Sequence, residues 1–478
     1  MHRNIRRRVS TSRMRYVHDY WMPFGNEVRW DSVNVCSRIT DFFYCKRRYV
    51  SDQAWNVEAM QIGGTINMET ALGMFRVLPR ELLHSLFDRI SVKQLLSITL
   101  TSSIFNSEVQ RYLLLENARR KFLAETTAYM EENIIDFDPF YSWGMLLKAS
   151  TIVMDSRKRC SFLASFFSKN EMITNWPGWG RCFMAVCLEQ SRERNKFCEK
   201  WDFHECETLM HAILHFTDLN QLLYEILPEE VGKYPSLEME IRLRLRGLFM
   251  SHSTKDERDY GFWISAILRT QETTELQGKL FMIMFGPVKI TESRREIIDW
   301  EVLCDGSVNL QHIYMRLLGP IALSFHHLEN TSSLECYAWT DDQIFTLLEQ
   351  ISSVPNAWAL HTSAALLALH PRIMHIALLK RLSEGRTNEA AYLFHAIKAV
   401  LHRWGIFVSG AISDAMLKTF RALPTIHRRL FLGSLLRAES YQLSGLLLST
   451  PFNAESFHAE LSSARSISTL MALLAKNV

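Results

Sequence analysis

From Leu72 almost to the C-terminus, apolar residues recur at intervals of three and four. That interval returns side chains to one face of a helix, so such a chain buries its apolar surface by stacking helix on helix. The interruptions are short: Asn175-Trp176-Pro177-Gly178, Leu227-Pro228, Phe285-Gly286-Pro287, Gly319-Pro320 and Val354-Pro355-Asn356. Glycine and proline break helices where they fall, and the lengths between these breaks suit paired helices in one large α-domain. With 19 Gly and 12 Pro in 478 residues, turn-dense β architectures lack their punctuation. The expected fold is all-α and irregularly helical-repeat-like, since no strict repeat makes it a regular solenoid.

One segment tests that reading. Leu237 to Arg246 alternates apolar and charged residues, as a half-buried strand does. Glu238 with Arg242 and Glu240 with Arg244 are, however, oppositely charged pairs one helical turn apart. No second strand-like run stands nearby to pair with, and the segment is read as helix. Arg242, Arg244 and Arg246 are then expected on a solvated face rather than in a nucleic-acid groove.

The net charge of +3 conceals an asymmetry. Residues 1–50 hold 11 basic and 4 acidic side chains, which leaves the rest mildly acidic. Arg6, Arg7 and Arg8 stand in an acid-poor, Ser-bearing start, open to three readings: a mitochondrial transit peptide, a nuclear-import or nucleic-acid contact, or a disordered basic tail. No apolar core follows these arginines, which argues against a secretory signal. Nine scattered cysteines point to a reducing compartment rather than a disulfide framework. No apolar stretch approaches the roughly 20 residues of a membrane span, so no membrane partner is expected.

The stretch richest in information follows the linker-like Gln61-Ile62-Gly63-Gly64-Thr65. Pro79 suits a first helical turn and Glu81 the positive end of the helix dipole. Leu82, Leu83, Leu86, Phe87 and Ile90 form an apolar stripe behind them. Ser91 with Gln94 reads as a capping box that opens a second helix bearing Leu95, Leu96 and Leu100. A third helix begins near Ser103 and carries Phe105, Val109, Tyr112 and Leu113. Some 45 residues cannot bury three such helices among themselves. Their surplus apolar surface meets either the domain downstream or another protein.

The order Leu78-Pro79-x-Glu81-Leu82-Leu83, then Leu86-Phe87, Ile90, Leu95-Leu96, Leu100 and Phe105, resembles an F-box. That resemblance implies docking of these twelve residues on the Skp adaptor of a cullin-RING ubiquitin ligase, a helix-in-groove contact. Thr101-Ser102 replaces the family's usual Val-Cys pair and Phe105 its common Trp, changes worth about 1 kcal/mol of burial per position. Downstream, Ile241-Arg242-Leu243-Arg244-Leu245, Phe262-Trp263-Ile264, Phe281 to Pro287, Trp339-Thr340-Asp341-Asp342, Ser353-Val354-Pro355 with Trp358, and Gly385-Arg386-Thr387 keep an order similar to the F-box only protein 47 family. Each block also has a structural account: Thr340 with Gln343 is a second capping box, Gly286-Pro287 a helix stop, and Trp263 and Trp358 core residues.

Signatures of chemistry are sparse. Cys182, Cys187, Cys198, His204, Cys206 and His211 crowd 30 residues, but their spacing fits no common structural zinc pattern and buried thiols are expected instead. His326-His327-Leu328-Glu329 lacks the second His of a zincin helix, and neither a phosphate-binding loop nor a GxSxG elbow occurs. The expectation is a chain with no catalytic residues, metal or cofactor. Three parts are expected: residues 1–70 as basic arm and linker, 71–120 as F-box, and 121–478 as an α-helical body that binds an unidentified target. The family resemblance includes nematode members acting in meiotic progression. It thereby implies a germline, meiotic role and makes nuclear import, hence a nuclear location, the expected job of the arm. The competing expectation is a non-catalytic scaffold whose F-box-like unit packs internally or binds some other partner.

Overall fold

The structure is a computed structural model, and it describes residues 78–132, 138–169, 179–187, 202–250, 257–305 and 313–477. Arg6, Arg7, Arg8, the glycine linker and Cys198 lie outside the described residues. Three short helices open the described chain: α1 (Arg80–Arg89), α2 (Val92–Thr101) and α3 (Ser103–Leu113). The Ser91 capping box closes reciprocally. Gln94 N–H donates to Ser91 Oγ at 3.3 Å and Ser91 N–H donates to Gln94 Oε1 at 2.9 Å. Ser102 caps α3, its hydroxyl accepting from Phe105 N–H at 3.2 Å. The Thr101-Ser102 departure therefore trades burial for an N-cap worth about 1 kcal/mol.

Next come α4 (Glu116–Glu132), α5 (Pro139–Thr151), α6 (Ser156–Lys169), α7 (Trp179–Cys187), α8 (Phe203–Phe216) and α9 (Leu219–Ile226). They are followed by α10 (Pro235–Phe249), α11 (Glu257–Arg269), α12 (Thr274–Phe285), α13 (Ile313–Glu329), α14 (Asp341–Ile351) and α15 (Leu360–Leu369). The chain closes with α16 (Pro371–Ser383), α17 (Thr387–Arg403), α18 (Val408–Ala422), α19 (Thr425–Leu448), α20 (Ala454–Ser466) and α21 (Ser468–Ala475). Two rows result. In one, α2, α5, α7, α10, α12, α14, α16, α18 and α21 pack each on the next; in the other, α11, α13, α15, α17 and α19 do so. An α-solenoid buries a continuous core between its rows in this way, and here one core runs from Leu83 to Leu474.

The all-α expectation holds, with one small addition. A hairpin of β1 (Val288–Ile290) and β2 (Glu296–Ile298) pairs Lys289 with Ile297 in antiparallel register, and β2 lies on α10. Its six strand residues are too few to read as strands in the sequence. Two further expectations change. Pro320 does not end a helix but sits inside α13, where buried Leu318, Ile321 and Ala322 hold the helix through it. The segment from Leu237 to Arg246 is helical, but its arginines are no solvated face. Arg242 is buried and donates to the carbonyls of Ile283 and Gly286, both at 2.9 Å; Arg246 donates to Met284 O at 3.1 Å. These are the orphan carbonyls at the end of α12, so two arginines of α10 cap a neighbouring helix. Arg244 binds Thr217 O at 2.8 Å and Glu240 at 3.2 Å. Glu238 is buried too, accepting from Trp300 Nε1 at 2.9 Å and from Gly232 N–H at 2.6 Å.

The expected caps and core tryptophans are in place. Thr340 and Gln343 close the second capping box ahead of α14, α12 stops at Gly286, and Trp263 and Trp358 are buried. Gly180 explains how closely α7 and α10 approach within their row, since a Cβ there would lie 2.1 Å from Gly247 O of α10.

Candidate functional site

The twelve residues of the F-box-like pattern divide by what they touch. Leu83, Phe87 and Leu95 are buried in the chain's own core. Leu78, Ile90, Leu96 and Phe105 are half-buried, and Pro79, Glu81, Leu82, Leu86 and Leu100 face solvent. The split follows from helix geometry: Leu83 and Phe87 lie one turn apart on the inner face of α1, and Leu82 and Leu86 lie one turn apart on the outer. Leu82 is 54% exposed, Leu86 39% and Leu100 45%.

The inner face is held firmly. Phe87 meets the ring of Tyr112 edge-on at 5.5 Å, and Tyr112 OH donates to Asp88 Oδ1 at 2.7 Å. Burial first, and the Asp88 carboxylate second, push the Tyr112 phenol above its ordinary value. Lys121 of α4 donates to Phe87 O at 2.7 Å and also to Ile90 O, which caps the end of α1 with an ammonium. Its own burial lowers the Lys121 pKa. Glu108 of α3 gathers Arg80 at 3.7 Å, His84 at 3.7 Å and Arg111. None of Asp88, Glu108 and Lys121 stood out in the sequence, because each works through partners 24 to 34 residues away or through an isolated charge.

The unit is also fixed to the body. Helices α2 and α3 rest on α5, where Asn106 Nδ2 donates to Ala149 O at 3.2 Å and Gln110 Nε2 to Ser150 O at 2.6 Å. Trp143 of α5 donates to Glu125 of α4 at 2.8 Å, and burial raises the Glu125 carboxyl. The surplus apolar surface foreseen for this unit is thus divided. Val92 and Leu95 go inward, and the outer leucines stay in water.

The cysteine and histidine cluster comes apart in the fold. Cys182, Cys187 and Cys206 are buried, whereas the His204 side chain on α8 is 81% exposed. Burial and a hydrogen bond with Cys206 raise the Cys187 thiol well above its usual range, and burial pushes Cys160 up to about 11. Among the described residues, His395, Glu439 and Glu460 are grouped closely enough to hold a metal ion. Lys398 Nζ already lies 2.6 Å from Glu439 and 2.7 Å from Glu460, so the position a cation would take is filled by the chain's own ammonium. No helix among the described residues is long and apolar enough to cross a membrane.

Comparison with known proteins fits this geometry. A family model described as FBXO47, ARM repeats, matches residues 215–478, the span from the end of α8 to the C-terminal end of both rows. F-box only protein 47 of Mus musculus is 23% identical over 333 residues, which is 68% of this chain and 70% of that protein. F-box only protein 47 of Homo sapiens is 22% identical over 341 residues, 70% of this chain and 72% of that protein.

Proposed function

Because the chain belongs to the F-box only protein 47 family, we propose that it is a substrate-recognition subunit of a Skp–cullin–F-box ubiquitin ligase. Residues 71–120 dock on the Skp adaptor and the helical body, 121–478, holds a target protein. The observation that carries this reading is the division of α1: Leu83 and Phe87 anchor the helix while Leu82 and Leu86 are held out in water. Covering a leucine of that kind is worth about 1.5–3 kcal/mol, and the rigid inner face means that little ordering cost offsets it.

The mechanism is positional. Tethering a target beside the charged ubiquitin carrier raises the effective concentration of its lysines, and no side chain of this chain takes part in bond making. The meiotic, germline role and the nuclear location, with Arg6, Arg7 and Arg8 as import signal, belong to the same proposal. A scaffold role without the ligase is the second reading. The seating of α2 on α5 favours it, since part of the unit is used internally.

Capture of the Skp adaptor by the full chain tests the two. The ligase reading expects capture by wild type and loss in Leu82→Ala/Leu86→Ala; no capture by a folded wild type would falsify it.

A further inference from the structure

Helix α19 is apolar on more than one side, a pattern that ordinarily marks a helix buried all round. Its inner side is indeed buried, through Phe431, Leu435 and Ala438. Its outer side is not. Ile426, Leu430, Leu436, Tyr441, Leu447 and Leu448 are all exposed, from 51% at Leu430 to 79% at Leu448. At 100° per residue they share an arc of roughly 140° along a helix of about 36 Å. Gly433 lies within that arc, and a Cβ built there meets nothing within 4 Å. Helix α19 ends its row of the solenoid, where a capping element normally presents a polar face. Helix α20 packs on α19 and α17 instead, and leaves this side open.

The charges on the helix are equally one-sided. Arg429 and Arg437 lie on the exposed arc. Arg437 bonds only within its own helix, to Gly433 O at 3.3 Å and Ser434 Oγ at 3.1 Å, and among the described residues neither arginine meets a carboxylate. The single acid of α19, Glu439, is turned inward onto Lys398. The neighbourhood shares this sign: residues 371–478 hold 13 Lys and Arg against 6 Asp and Glu, whereas residues 51–370 hold 30 against 41.

We infer that the outer face of α19 docks an acidic amphipathic helix of a partner protein, leucine-type side chains covering Ile426, Leu430, Tyr441 and Leu448 while carboxylates meet Arg429 and Arg437. Aliphatic side chains at one-turn spacing suit the apolar stripe of a helix. A phosphate backbone would leave them in water, which favours a protein over a nucleic acid. This surface stands apart from α1, and the inference holds whether or not the adaptor docks there.

Panning a phage-displayed library of 20-residue helical peptides on the full chain tests it. The recovered peptides should be acidic and amphipathic, and should bind less tightly as salt rises. Leu430→Glu and Arg437→Glu should each weaken them at least tenfold with the melting temperature unchanged, while Tyr224→Glu, at an exposed position on α9, should have no effect. Recovery of neutral or basic peptides, equal binding by the α19 variants, or no recovery would overturn the inference. So would a DNA duplex or phosphatidylserine vesicles binding in place of peptide with the same dependence on Leu430. A dimer in sedimentation velocity that Leu430→Glu dissolves would overturn it in favour of a second copy.

Discussion

Lys398 Nζ meets Glu439 Oε2 at 2.6 Å, with the lysine side chain wholly buried between α17 and α19. Glu460 of α20 shares the same ammonium at 2.7 Å, and His395 approaches Glu439 at 3.1 Å. One cation thus holds three helices at the C-terminal end of the solenoid. Lys398→Met should cost about 3–5 kcal/mol, because it strands carboxylates in the interior. Chemical denaturation checks this, and Lys398→Met/Glu439→Gln should recover part of the loss.

The same cluster makes stability depend on pH. Burial pushes the Glu439 carboxyl up, but the hydrogen bond from His395 and the charge of Lys398 outweigh it, and the net shift is downward. A carboxylate whose folded pKa is depressed binds fewer protons folded than unfolded. Its contribution is therefore fully present above the unfolded value of about 4.3 and is lost as pH falls through the folded value. Melting temperatures across pH 5 to pH 3 should fall more steeply for wild type than for Glu439→Gln. Equal slopes would assign the acid sensitivity elsewhere.

Arg242 offers a second test of an interior charge. Arg242→Ala should cost about 1–3 kcal/mol for each carbonyl it orphans at the end of α12. Hydrogen exchange should accelerate there, around residues 282–286, before it does in α14. Both bonds come from Nη1 alone, so Arg242→Lys, whose ammonium carries three donors, should restore part of the loss.

The two faces of α1 should respond oppositely to truncation. Phe87→Ala removes a buried ring and should cost about 3–5 kcal/mol, whatever the partner. Leu82→Ala/Leu86→Ala should change thermal stability little while removing adaptor capture. If the outer pair proves as destabilising as Phe87→Ala, the leucines are structural and the docking face lies elsewhere.

Ser102→Ala should cost about 1 kcal/mol through loss of the α3 cap. A Thr101→Val/Ser102→Cys variant should keep that loss, which thermal melts of the two variants will show.

How far the fold can be read depends on the range of each signal. The capping boxes at Ser91 and Thr340 are written in four consecutive residues, and both form as spaced. The Glu-to-Arg spacing likewise marked α10 as helix, against an apolar alternation that reads as strand. What the period does not encode is what lies opposite each face. Arg242 looks the same in sequence whether it meets water or a carbonyl 41 residues away. For the same reason Leu82 and Leu83 both read as apolar stripe, and only packing separates the outer leucine from the inner. Pro320 was misleading because its neighbours' burial outweighs the helix bond it forgoes. The site residues Asp88, Glu108 and Lys121 carry no local signature at all.

The unbroken core from Leu83 to Leu474 has a mechanical consequence. Among the described residues the three-helix unit packs directly on the row behind it, through α2 and α3 on α5, and shares its core. A target held on the body would be offered at a set reach and angle, like stock in a vice, and not swept about on a tether. The lysines that fall within that reach, more than the tightness of the grip, would then decide which part of the target is modified.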